Sequence, residues 1–141
     1  MRISALCLLA ALAALVFGGI AEAGVTARID LSQQQMRVYA NGKLAYTWKV
    51  STARRGYRTP TGTYRPQRMH KMWYSRKYDM SPMPHSIFFR GGYAIHGTNA
   101  VRSLGRPASH GCVRLHPSNA RTLYNLVKQT GPGNTRIIIT R

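Results

Sequence analysis

The sequence predicts a mainly β domain carrying one α-helix. Three observations lead there. Apolar and polar residues alternate through much of the first half, two turn signals (Asn41-Gly42 and Gly91-Gly92) separate such runs, and one stretch near the C-terminus carries apolar residues at helical spacing. With 141 residues, 44% of them hydrophobic, the chain is long and apolar enough to pack one domain.

The elements follow in order. Arg28 to Leu31 and Met36 to Ala40 alternate, the latter with Met36, Val38 and Ala40 on one face. Asn41-Gly42 then tolerates the positive φ of a type I′ turn, and Lys43 to Ser51 returns with Leu44, Tyr46, Trp48 and Val50 on one face. Thr52 to Thr61 reads as a basic loop ending in the turn-forming Thr59-Pro60-Thr61-Gly62. Thr63 to Met69 is expected as a strand. His70 to Pro84 lacks periodicity, yet carries Trp73, Tyr74 and Tyr78; it reads as a loop, either folded over the core or acting as a lid or groove wall. Ser86 to Phe89 and Tyr93 to His96 flank Gly91-Gly92 as a second hairpin. A helix of about three turns is expected from Ser118, with Ala120, Leu123, Tyr124 and Val127 on its apolar face and Gly131 as its stop. Arg136 to Thr140 closes as an Ile-rich strand.

The first residues read as a leader. Met1-Arg2 precedes an apolar run from Ile3 to Ile20, broken by Gly18-Gly19, and Ala21-Glu22-Ala23 supplies the small-x-small pattern of signal-peptidase sites. The run is just long enough to span a bilayer, so an uncleaved anchor is the alternative. Cleavage is the expectation: a signal peptide over 1–23, one mature domain over 24–141, no stable membrane span after processing, and an exported, periplasmic protein.

The charge must be read in that compartment. Twenty-one Lys and Arg face three acidic residues, for a net +18; loss of Arg2 and Glu22 leaves 20 basic residues against Asp30 and Asp79, still +18. Such an excess suggests nucleic acid, an anionic surface or an acidic polymer. An exported chain without alternating basic and aromatic residues is not expected to bind nucleic acid, which leaves an anionic surface or an acidic polymer as the partner class.

Processing also removes Cys7, so Cys112 is the one remaining thiol. An unpaired thiol in an exported protein is either reactive or a buried inert residue. Cys112 lies in Ser109-His110-Gly111-Cys112-Val113-Arg114, sixteen residues after the His96 of His96-Gly97. A thiol near neutral pH is mostly protonated, so a nucleophilic cysteine needs a base, and His96 could take its proton and stabilise the thiolate as imidazolium. Gly111 would let a substrate carbonyl approach backbone N–H groups, forming an oxyanion hole. Ser109 and His110 could orient the loop by hydrogen bonding, and Arg114 suits a carboxylate clamp. The competing reading has His110, Cys112 and His116, with His96 as a fourth ligand, hold a soft metal. No Cys-x-x-Cys or His-x-x-x-His pairing supports it, and it leaves Ser109 and Gly111 unexplained, so no metal or cofactor is expected. His70 and His85 read as surface or packing residues.

At these residues the chain resembles the L,D-transpeptidase catalytic domain, the YkuD family. The likeness rests on His96-Gly97 and Ser109-His110-Gly111-Cys112-Val113-Arg114, and extends to Ser51-Thr52, Thr59-Pro60-Thr61-Gly62, Pro82-Met83-Pro84 and Gly91 to Thr98. The resemblance implies a β-sandwich-like domain and acyl transfer on peptidoglycan stem peptides. Cys112 would attack the carbonyl of the stem's third residue, expel the terminal D-alanine and form a thioester that an amine resolves. His96 matches the base, the Gly97 carbonyl would orient its imidazole, Ser109 and His110 match the pair before the glycine, and the amides of His110, Gly111 and Cys112 are the oxyanion-hole candidates. Arg114 matches the Arg variant of the motif. The acceptor is left open: another stem, a lipoprotein lysine, the N-terminus of an outer-membrane protein, or water, which would make an L,D-carboxypeptidase. A non-catalytic basic wall-binding or metal-binding protein is the reading from outside enzymology.

Overall fold

A computed structural model describes residues 23–141; the expected leader, up to Glu22, lies outside the described residues. Nine strands and one α-helix follow in the order β1 (Val25–Asp30), β2 (Gln35–Ala40), β3 (Lys43–Lys49), β4 (Gly62–Tyr64), β5 (Arg68–Ser75), β6 (Ser81–Arg90), β7 (Tyr93–Gly97), β8 (Val113–Leu115), α1 (Pro117–Thr130) and β9 (Thr135–Thr140). They form a five-stranded sheet, β3-β2-β1-β9-β4, and a four-stranded sheet, β5-β6-β7-β8. The mainly β architecture with one helix is as expected.

The β2–β3 hairpin turns on Asn41 and Gly42, both at positive φ (51° and 78°). Pairing of β1 with β9 is parallel, from Val25 opposite Thr135 to Asp30 opposite Thr140, and joins the two ends of the domain. β3 is the outer strand of its sheet and ends at Lys49, short of the expected Ser51; of its alternating apolar positions Leu44 and Tyr46 are exposed, Trp48 is partly buried, and only Val50, past the strand, is fully buried.

Helix α1 starts as its sequence requires. His116 is the N-cap, its Nδ1 accepting the Ser118 N–H at 3.2 Å, and Pro117 occupies the first helical turn. Gly131, at φ 98°, ends it. Ala120, Leu123, Tyr124 and Val127 are buried and join the inner faces of both sheets in one core, with Val25, Ile29, Ile87, Ile95, Val113, Leu115, Ile137 and Ile139. Full burial of each large side chain contributes about 1.5–3 kcal/mol, so this three-way junction is the main anchor of the domain.

Two expectations are corrected. Thr63 to Met69 is not one strand; it divides between β4 of one sheet and the start of β5 of the other, parted around Pro66. His70 to Pro84 is not a loop. It forms most of a β5–β6 hairpin whose register runs from Arg68 opposite Phe88 to Ser75 opposite Ser81. Pro82 and Pro84 are tolerated because β7 pairs with β6 only over Ile87–Arg90, so this end of the hairpin is a two-stranded ribbon with a free edge. The ribbon projects past β7 and β8 and becomes a wall of the groove described next.

Candidate active site

His96 and Gly97 end β7, and Cys112 immediately precedes β8, which runs parallel to β7 with His96 opposite Arg114. Parallel pairing at these strand ends carries His96, Cys112 and Arg114 into one groove of about 650 Å³, which Ser109, His110 and the β5–β6 ribbon also line.

His96 is 6% exposed, and its Nδ1 lies 2.6 Å from the Gly97 carbonyl. A carbonyl only accepts, so Nδ1 carries the proton and Nε2 presents a lone pair. Burial holds this imidazole down to about 4; the Gly97 carbonyl pulls the other way and the Arg114 charge adds to the lowering. Burial likewise pushes the Cys112 thiol up, against the Ala94 N–H and the Arg114 charge, which favour the thiolate. Its Sγ lies 3.8 Å from the Gly92 carbonyl. The resting pair is therefore a neutral thiol and a neutral imidazole. Cys112 also packs against the small apolar cluster of Met83, Phe88 and Ala94.

The turn before Cys112 is tied from both sides. Ser109 Oγ donates to the Cys112 carbonyl at 2.6 Å and accepts the Gly111 N–H at 3.0 Å. That engages one of the three expected oxyanion donors and leaves the His110 and Cys112 amides as the candidate pair. From the other side, Thr59 Oγ1 donates to the Gly111 carbonyl at 2.8 Å and accepts the Ala53 N–H at 3.0 Å. In the sequence Thr59 stands out only as part of a turn-forming segment shared with the family, with no role of its own. Replacing it by Val removes both bonds at nearly constant volume. We expect Thr59→Val to lower acylation about tenfold or more while the fold survives, as read by initial rates and a thermal melt.

Gly111 has a packing reason beside the one the sequence suggested. Its φ is +138°, and a Cβ there would meet Tyr93 Cε1 at 2.6 Å and the Arg58 carbonyl at 2.9 Å. The missing side chain lets the turn pack against Tyr93 and Arg58. Gly111→Ala should cost about 2–3 kcal/mol of stability and displace the turn, seen as a lower melting midpoint together with lost activity. Gly97 is tight too, since a Cβ would meet Pro84 Cγ at 3.1 Å and Pro117 Cα at 3.2 Å.

His110 orients by ring contact and not by the hydrogen bond expected. It stacks on Tyr78 at 4.0 Å and 9° and meets Tyr57 edge-on at 4.8 Å, which joins the ribbon and the basic loop across the turn. Burial lowers its pKa, and the charges of Arg54, Arg114 and Lys77 lower it further. Half-buried Arg114 points its guanidinium to the Ala108 carbonyl at 3.5 Å. His116 is occupied as the helix cap, and among the described residues no three His, Cys, Asp or Glu side chains are grouped to hold a metal ion. His70 lies against Trp73 and Phe88, and His85 edge-on to Tyr124, as packing residues.

A family profile for the YkuD L,D-transpeptidase catalytic domain matches residues 24–139. The YkuD protein of Bacillus licheniformis is 27% identical over 119 residues, covering 79% of this chain and 63% of that protein. Among solved structures, an L,D-transpeptidase from Stackebrandtia nassauensis superposes with a TM-score of 0.74 at 28% identity, over 91% of this chain and 62% of that one. An L,D-transpeptidase from Mycobacterium smegmatis, at 22% identity and a TM-score of 0.76 over 84% of this chain and 59% of the other, shares the fold. The chain thus spans about three-fifths of the length of these relatives.

Proposed function

Because this chain belongs to the YkuD family of L,D-transpeptidase catalytic domains, we propose that it is an exported, periplasmic cysteine acyltransferase acting on the tetrapeptide stems of peptidoglycan. The observation that carries the reading is the tautomer of His96: with Nδ1–H committed to Gly97, Nε2 is a bare base in the groove that holds Cys112.

His96 Nε2 takes the thiol proton as Cys112 Sγ attacks the carbonyl of the stem's third residue. The oxyanion forms against the amides of His110 and Cys112, in a turn that Ser109 and Thr59 hold in place. The imidazolium then protonates the leaving nitrogen, D-alanine departs, and a thioester remains on Cys112. An acceptor amine attacks the thioester and loses its proton to His96, and collapse frees the thiol with a new amide bond. Gly97 and Ser109 act as positioning residues, and Arg114 faces the substrate carboxylates. Among the described residues no helix is long and apolar enough to cross a membrane; we propose that the leader over 1–23 directs export.

The pH dependence has a definite sign. Protonation of Nε2 stops the reaction, and burial holds that protonation down to about 4. The acylation rate should stay level from neutrality through about pH 6 and fall only toward pH 4. A midpoint near the ordinary histidine value in a pH–rate profile would show that another group controls the step.

Product analysis with a disaccharide tetrapeptide, with and without an amine acceptor, tests the function. The expected outcome is D-alanine release with a cross-linked or amine-capped product when the acceptor is present; stem peptides, a lipoprotein lysine and a protein N-terminus are the acceptors to try. Tripeptide acid alone in every case would make the enzyme an L,D-carboxypeptidase. No D-alanine release would leave a non-catalytic wall-binding protein.

A further inference from the structure

The catalytic groove is lined by four cationic side chains, Arg68, Arg76, Lys77 and Arg114, and among its described lining residues none is Asp or Glu. Three of the four are held in place without a carboxylate. The Arg68 guanidinium lies 3.6 Å from the Phe88 ring centre and 4.7 Å from that of Trp73. Lys77 Nζ lies 5.5 Å from the Tyr78 ring, the same ring that stacks on His110. Arg114 leans on the Ala108 carbonyl. Aromatic faces and carbonyls fix the direction of a cation while leaving its charge uncancelled. The groove thus presents pre-oriented positive charge along its ribbon wall as well as beside the thiol.

Positive charge that no protein carboxylate neutralises is stabilised by anionic groups on whatever fills the groove. From this, and resting on the transpeptidase reading above, we propose that the enzyme selects its acyl donor by carboxylate count. The free-acid stem, with every side-chain and α-carboxyl group ionised, is the preferred donor, and stems in which those carboxyls are amidated are discriminated against. A carboxamide keeps nearly the same shape and still accepts hydrogen bonds, but it brings no charge and adds donors that face guanidinium groups. Arg68, Arg76 and Lys77 are the specificity-determining residues, and the amidation-sensitive contact lies on the ribbon, away from the reacting carbonyl.

The test compares acylation of the full chain by a matched pair of tetrapeptides, one with free carboxyls and one with its side-chain and α-carboxyl groups amidated apart from the terminal D-alanine, by intact-mass kinetics at low and high salt. The free-acid donor should acylate about tenfold faster at low salt, with the advantage shrinking as salt rises. Arg76→Gln, Lys77→Gln and their combination should each reduce that ratio, by about threefold per cation removed. Equal rates for the two donors in the wild-type protein would overturn the inference while leaving the acyltransferase reading intact. A ratio unchanged in the double variant would overturn the assignment to the ribbon. Failure of both donors to acylate would remove the transpeptidase reading, and this inference with it.

Discussion

Cys112→Ala is expected to abolish both D-alanine release and covalent adduct formation while leaving the domain folded. The sulfur sits partly exposed at the head of β8, touching the small cluster of Met83, Phe88 and Ala94. Its removal deletes one heavy atom from the edge of that cluster and should cost about 1 kcal/mol. The turn should persist, because Ser109 Oγ holds the backbone carbonyl of residue 112 and Thr59 that of Gly111, neither through the thiol. Activity and stability are thereby separable: rates at background with a melting midpoint within a few degrees of wild type. Residual stem turnover in this variant would mean that the reaction does not pass through Cys112.

The second large effect concerns His96, and the choice of variant matters. His96→Ala would empty a buried site and strip the Gly97 carbonyl of its donor, mixing a stability loss of about 2–3 kcal/mol with loss of the base. His96→Asn separates the two. Its side-chain amide can supply an N–H near the position of Nδ1 but has no basic nitrogen at the position of Nε2. Acylation should fall by about three orders of magnitude or more in both variants, with stability largely restored in His96→Asn. A loss smaller than about tenfold in a folded His96→Asn protein would show that the proton leaves by another route.

What the sequence made legible follows the range of the interactions involved. The Asn41-Gly42 hairpin and the helix read from Ser118 to its stop at Gly131 are local: the turn and stop residues are contiguous with the periodic runs they end. Ser109, Gly111 and Cys112 form a local turn too, and the Gly97 carbonyl is one residue from the ring it meets. Readings failed where a partner was distant or a strand had only one neighbour. Prolines and a free edge hid the β5–β6 ribbon, whose few buried positions, such as Met83, are too scattered along it to set an alternation. The partners of Gly111, namely Thr59, Arg58 and Tyr93, come from a loop and a strand far along the chain. For the same reason the ring contact of His110 with Tyr78 was out of reach, since it depends on how the ribbon folds back. The parallel β1–β9 pair joins segments at opposite ends of the domain and leaves no local signature.

The neutral resting pair also bears on mechanism. A buried imidazole with its pKa held to about 4, in the same groove as a thiol pushed up by burial, leaves that thiol protonated in the resting protein, so on the proposed mechanism its proton moves only when a substrate carbonyl arrives. Such a thiol resists casual oxidation and alkylation, which depend on thiolate character.

Intact-mass analysis of the wild-type protein after incubation with a disaccharide tetrapeptide, followed by peptide mapping, tests the central claim most directly. The account predicts a mass gain equal to the donor minus D-alanine, located on Cys112 and discharged by an added amine. Donor turnover with no adduct on Cys112 under any quench, or an adduct mapping to another residue, would contradict it.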